Sequence, residues 1–305
     1  MHDDSNSFVT VGSYALGHDA AERQTRAWRC LITSLVLAIV TLSLRASPAG
    51  AEELRHTDPA PLAVGMGSGA AALALAAFAL PSPQRCSWCK PTALDQALHS
   101  PWPASHRRAA ANYSHLLSFG MIPAGALDAS MTLPLAHSEP HRHAFENVAI
   151  VSEAVLVNMA LTLTLKKLVA RRRPAFFYGR SRSGEFRVHP GQENVSFPSG
   201  DTSIAFSFAS AATTVAFLRG YPEAPYVLAT GATLSTGVAL LRVAADVHWP
   251  TDVFAGAVLG TLVGVGMPLL LHRRVNDEDN AATMSTPLRP SAPTRPPGFL
   301  YSASF

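Results

Sequence analysis

Charge is scarce in this chain. Asp, Glu, Lys and Arg make up 15% of its 305 residues, against roughly 25% in an average soluble domain. Apolar residues fill the deficit at 48%, and mean hydropathy is +0.16. Wholesale disorder is excluded, and the balance leans towards a membrane. Cysteine is scarcer still: Cys30, Cys86 and Cys89 are too few for a disulfide scaffold. Cys86-x-x-Cys89 encloses Trp88, but no second CxxC or His-rich motif accompanies it. It reads as a small disulfide in an exported loop rather than as a metal half-site. The net charge of +3 is too small to mark a nucleic-acid binder. The length permits one large domain or two small ones.

What is present is a series of apolar runs. Cys30 to Leu44 is uncharged, follows Arg23, Arg26 and Arg29, and precedes Ala49-Gly50-Ala51. Residues 1–51 therefore read as a secretory signal or an uncleaved N-terminal membrane anchor. Six further runs approach the roughly 20 residues that cross a bilayer core: Pro61–Gln84, Ser114–Pro134, Phe145–Leu165, Thr202–Leu218, Tyr226–Leu241 and Val253–Leu271. A soluble bundle of very apolar helices is the alternative, since several runs are short or rich in Gly, Ser and Thr. Residues 52–144 are expected to hold N-terminal helices and the CxxC loop, 145–272 a helical core, and 273–305 a disordered Pro-, Ser- and Thr-rich tail. Asp128 and Glu153 fall inside apolar runs, with Asn158 five residues beyond Glu153. Such acids are functional or bridge helices. Orientation is contradictory: His272-Arg273-Arg274 places the last span's end in the cytoplasm, and counting back six spans conflicts with a cleaved signal.

Three polar stretches lie at the ends of apolar runs. Between Lys166 and Arg187 eight basic residues meet one acid, Glu185, a local charge of +7 that leaves −4 for the rest of the chain. Here Lys166 and Arg173 are seven apart, one face of a helix, and Pro174 is expected to break that helix. Two cations at a helix end make an oxyanion clamp. Pro198-Ser199-Gly200 leads into the run at Thr202, where backbone amides and the helix dipole favour an anion. Arg242, His248 and Asp252 follow as R-x5-H-x3-D. If a helix starts near Pro250, the carboxylate reaches an imidazole nitrogen and fixes its tautomer, which makes His248 a candidate nucleophile.

Taken together and in this order, K-x6-R-P, P-S-G and R-x5-H-x3-D resemble the type 2 phosphatidic acid phosphatase family over roughly 145–271. That family includes lipid phosphatases, soluble exported acid phosphatases and vanadium haloperoxidases. The resemblance implies an all-α fold, a helical-bundle core of about six mostly transmembrane helices. It implies that Lys166, Arg173 and Arg242 bind phosphoryl oxygens with Ser199 and the Gly200 amide. His248 would attack phosphorus to form a phosphohistidine, with Asp252 orienting it and no metal or cofactor taking part. Two positions depart from the family pattern. Asp201 stands where the family usually has the His that protonates the leaving group, and Leu241 where it usually has Ser. Asp201 is kept as a catalytic candidate and His189 as a substitute acid. A diphosphate, whose leaving group needs little protonation, is slightly favoured.

The reading that follows is a multi-pass phosphatase of a bacterial-type inner membrane, with an extracytoplasmic site. It acts on a lipid phosphate or diphosphate, has the bilayer as partner, and has no nucleic-acid partner. The rivals are a soluble exported acid phosphatase and a phosphate-lipid binding protein with weakened turnover.

Overall fold

The computed structural model describes residues 59–180 and 191–272. The N-terminal signal or anchor, His189 and the expected tail lie outside the described residues. Nine α-helices are described: α1 Pro59–Ala74, α2 Ala93–Leu98, α3 Ala104–Leu116, α4 Ile122–Ala136, α5 His141–Val169, α6 Pro174–Phe177, α7 Gly200–Leu218, α8 Ala224–Ala244 and α9 Pro250–Met267. Three π-helical turns extend them, Leu75–Ala79 after α1, Leu117–Met121 between α3 and α4, and Pro268–His272 after α9. No strand occurs among the described residues, so the fold is all-α.

Proline opens most of these helices. It stands within the first turn of α1, α6, α8 and α9 and just before α3 and α5, positions where its missing N–H costs nothing. The helices consequently begin at or ahead of the apolar runs. Among the described residues five stretches are long and apolar enough to cross a membrane: Ala104–Ala136, His141–Val169, Gly200–Leu218, Ala224–Ala244 and Pro250–His272. They indicate a multi-pass membrane protein. The first expected span differs. Its helix, Pro59–Ala74 with the π-helical turn Leu75–Ala79, ends short of Gln84 because Pro81 and Pro83 cannot continue it.

α7 is the central helix, with 72% of its most apolar window buried against 22–44% in the other four spans. Its small residues allow this. Ser203, Ala205, Ser207, Ala209, Ala211 and Ala212 are all buried. α9 meets it through glycines spaced by four: a Cβ on Gly256, Gly260 or Gly264 would strike the carbonyl oxygen of Ser199, Ser203 or Ser207 respectively. Small residues let membrane helices approach backbone to backbone. At the top of this contact the Ser199 amide donates to the Asp252 carbonyl at 2.9 Å, fixing the N-terminus of α7 against that of α9.

Polar side chains link the remaining helices. Asn158 on α5 accepts from Ser203 at 2.8 Å, and Thr162 bonds the same serine at 3.1 Å. Glu153, one of the two acids inside apolar runs, pairs with His272 at 2.9 Å. It bridges α5 to the end of α9. Asp128, the other, is exposed. Cys86 and Cys89 form the expected disulfide.

Candidate active site

The site begins where α5 ends. Lys166 lies in its last turn, and Ala170 adopts the left-handed conformation, φ 49° and ψ 51°, that stops the helix. The expected continuous helix to Pro174 is therefore corrected, and Lys166 and Arg173 do not share a helix face. Backbone partners from elsewhere replace the helical bonds. Ser87 N donates to Ala170 O at 3.0 Å, Arg172 N to Trp88 O at 3.1 Å and Ser196 N to Arg171 O at 2.9 Å. Pro174 opens α6 instead of ending α5.

These turns bring Lys166, Arg173, Gly200, Asp201, Arg242 and His248 around one cavity of about 490 Å³. Its apolar lining includes Phe119, Met159, Leu163 and Ile204. Lys166 Nζ donates to Val195 O at 3.1 Å. Gly200 leaves room for it: a Cβ there would press on Lys166 Cε at 3.2 Å. Arg173 is buried and held by carbonyls, through Nε to Gln192 O at 2.8 Å and Nη1 to Val247 O at 2.9 Å. Arg242 Nη1 reaches Ser114 Oγ at 3.2 Å and Asp201 Oδ2 at 3.2 Å. Three cations thus share the lining with one carboxylate, an excess of positive charge that an anion would neutralise.

His248 is buried in the cavity wall. Its Nε2 lies 3.3 Å from Arg173 Nη1. A guanidinium can only donate, so Nε2 carries the lone pair and Nδ1 the proton. Burial, then the charges of Arg173, Lys166 and Arg242, hold its pKa well below the ordinary imidazole value. A neutral imidazole facing an anion site is an activated nucleophile.

α9 does start at Pro250, which places Asp252 Oδ2 3.6 Å from His248 Nδ1. That is an ion-pair distance, longer than a hydrogen bond, because the carboxylate is already engaged. It accepts from Trp249 N at 2.9 Å, from Ser196 Oγ at 2.5 Å and from Arg171 Nη1. Asp252 and Ser199 are fully buried and stand behind the cavity lining. Ser199 is the N-cap residue of α7, as its place in the sequence implies, but its hydroxyl bonds Thr202 Oγ1 at 2.9 Å and caps no backbone amide.

Residues 147–276 match the PAP2 superfamily. No significant match to a curated protein was found. The matched stretch encloses all eight site residues expected from the sequence. Among the described residues no group of three or more His, Cys, Asp or Glu side chains is arranged to hold a metal ion.

Around the PAP2 motifs stand residues that the sequence reading missed. Arg171, counted only as part of the basic cluster, turns away from the cavity. It is fully buried, bonds Asp252, Asp95 and Thr251, and stacks over Trp88 with its Cζ 3.7 Å from the ring centroid. Asp95 lies upstream of the PAP2 match. Burial opposes its charge, yet hydrogen bonds from Thr251 and Thr92 bring its pKa below the usual carboxylate value. The only signal for it was Thr92-x-x-Asp95, a capping box for α2. Asp246, in a left-handed turn at φ 64°, lies 3.0 Å from His99 Nε2 and accepts from Arg180 Nη2 at 3.3 Å. It tightens the loop that carries His248. The remaining newcomer is His115 on α3, which no motif marked. Its Nδ1 is 2.9 Å from Asp201 Oδ2.

Proposed function

We propose that this protein is a membrane phosphatase that hydrolyses a lipid phosphate or diphosphate through a phosphohistidine on His248, at the extracytoplasmic face. One observation carries the reading: a neutral, buried imidazole faces three cations in a cavity that also has an apolar lining. Lys166, Arg173 and Arg242 would hold the phosphoryl oxygens, with the Gly200 amide and the positive end of α7 behind them. His248 Nε2 would attack phosphorus in line, and the cations would offset charge in a loose transition state. Asp252, kept in place by Arg171 and Ser196, would stabilise the charge that His248 acquires. Water would then release phosphate.

The lipid substrate is supported by the apolar lining and by the five membrane-length helices. The rival of a phosphate-lipid binding protein draws on Asp201, whose carboxylate is taken up by Arg242 and His115. Phosphate release by the purified protein in detergent separates the two. Turnover of a long-chain lipid phosphate or diphosphate, faster than that of a small phosphomonoester and absent from His248→Ala, is the expected result. Binding without release would favour the rival, and a preference for small esters would remove the lipid assignment.

A further inference from the structure

We propose that His115, oriented by Asp201, is the acid–base residue of the site, protonating the leaving oxygen and then taking a proton from water. The inference rests on the phosphatase reading above. An alcohol leaving group needs a proton, and the titratable side chains lining the cavity are His115, Lys166, Asp201 and His248, beside Arg173 and Arg242. Arginine does not give up its proton in proteins. His248 is committed as nucleophile, and Lys166 supplies charge for the phosphoryl group. Asp201 Oδ2 has His115 Nδ1 at 2.9 Å, Arg242 Nη1 at 3.2 Å and Ser118 Oγ at 3.4 Å. An oxygen facing three donors is a carboxylate acting as acceptor, with no proton of its own to deliver. Among the described residues that line the cavity, His115 is what remains.

Its placement suits the role. The bond from Nδ1 to Asp201 fixes the ring and leaves Nε2 as its working nitrogen; in the free site Nε2 accepts from Arg242 Nη1 at 3.4 Å, and it takes up a proton from solvent once the phosphoryl group claims Arg242. Nε2 thus sits beside a cation that would grip the phosphoryl group. The His115 side chain is 55% exposed, whereas that of His248 is 1% exposed. One cavity therefore has a buried imidazole for the phosphoryl group and an open one within reach of solvent. In the first step His248 Nε2 bonds to phosphorus as the P–O bond to the alcohol breaks, and the imidazolium proton on His115 Nε2 passes to the leaving oxygen. In the second, neutral His115 takes a proton from water as its oxygen bonds to phosphorus and the N–P bond breaks. Asp201 holds the ring in both steps and stabilises the imidazolium whenever it forms, the orienting role that a carboxylate plays for a catalytic imidazole.

The test compares two phosphate monoesters in detergent micelles, a long-chain alkyl phosphate and p-nitrophenyl phosphate, whose phenolate leaves without protonation. His115→Ala should lose about 10²-fold or more on the alkyl ester, the scale of general acid catalysis, and far less on the nitrophenyl ester. His115→Gln, which keeps a polar side chain at this exposed position, should show the same selectivity, and both should elute as the unaltered protein does. His248→Ala should lose both substrates. Equal losses on both esters, or no loss on the alkyl ester, would overturn the assignment of His115. If the unaltered protein turned over neither ester, the phosphatase reading itself would fall, and this assignment with it.

Discussion

Two arginines separated by one residue divide the labour of the site. Arg173 offers its charge to the cavity, while Arg171 is locked between two buried carboxylates. Removing one partner of a buried ion pair costs about 3–5 kcal/mol. Arg171→Met is therefore expected to lower the thermal midpoint and the folded yield in detergent. Lys166→Met removes a cation whose hydrogen-bond partner is a carbonyl. It should weaken turnover at least about tenfold, the effect of losing one charge-assisted hydrogen bond, with the midpoint unchanged or raised. Asp252→Asn should retain activity lowered by about 10²–10⁴-fold, as for other His-orienting carboxylates. His248 adds a pH dependence. Its folded-state pKa is depressed by burial and by neighbouring cations, so below the ordinary value of about 6.5 the unfolded chain binds a proton that the folded chain refuses. Stability falls as pH drops through that window. Thermal midpoints between about pH 7 and pH 5 should decline more steeply for the unaltered protein than for His248→Gln, and parallel slopes would show that His248 is not held neutral. The motif residues were legible because a cation, an anion-binding turn and an imidazole at the ends of apolar runs have few other uses. Arg171 was not, since its partner Asp95 is 76 positions away and no local pattern joins them. His115 was hidden in the same way, on a helix that precedes the family match.

Helix identity came from apolar length, and helix ends came from proline. Five of the six expected spans match helices, each extended by a few residues where a proline or a polar terminal turn remains helical. The first falls short at its proline pair. The misjudged end of α5 has another cause: periodicity carried it to Pro174, whereas bonds to the disulfide loop stop it at Val169. Tertiary partners that local sequence cannot display won that competition. Packing of α9 on α7 gives a prediction at this scale. Gly260→Ala puts a methyl group against Ser203 O, while Gly266, on the same stretch of α9, has nothing within 4 Å of an added Cβ. Gly260→Ala should destabilise by about 1–3 kcal/mol, as overpacking does. Gly266→Ala should be neutral or stabilising by up to about 1 kcal/mol. Thermal melts of the two variants in one detergent check this, and equal shifts would mean that the helices do not meet at Gly260.

For the whole molecule, helices of membrane length make up most of the stretch that matches the PAP2 superfamily. Exposed apolar side chains such as Phe78, Phe145, Phe254, Leu262 and Leu270 are what a bilayer would cover. Extraction from membranes should accordingly require detergent. Vanadate should inhibit, because its five-coordinate form resembles the in-line transition state, and transition-state mimics bind tightly. The account stands or falls on covalent transfer to His248. Rapid acid-free quenching of the protein mixed with a ³²P-labelled lipid phosphate or diphosphate, followed by peptide mapping, measures it directly. The account predicts a transient label, stable to alkali and labile to acid, on the peptide containing His248 and absent from His248→Ala. Turnover without such a label, or a label that persists in His248→Ala, would contradict it.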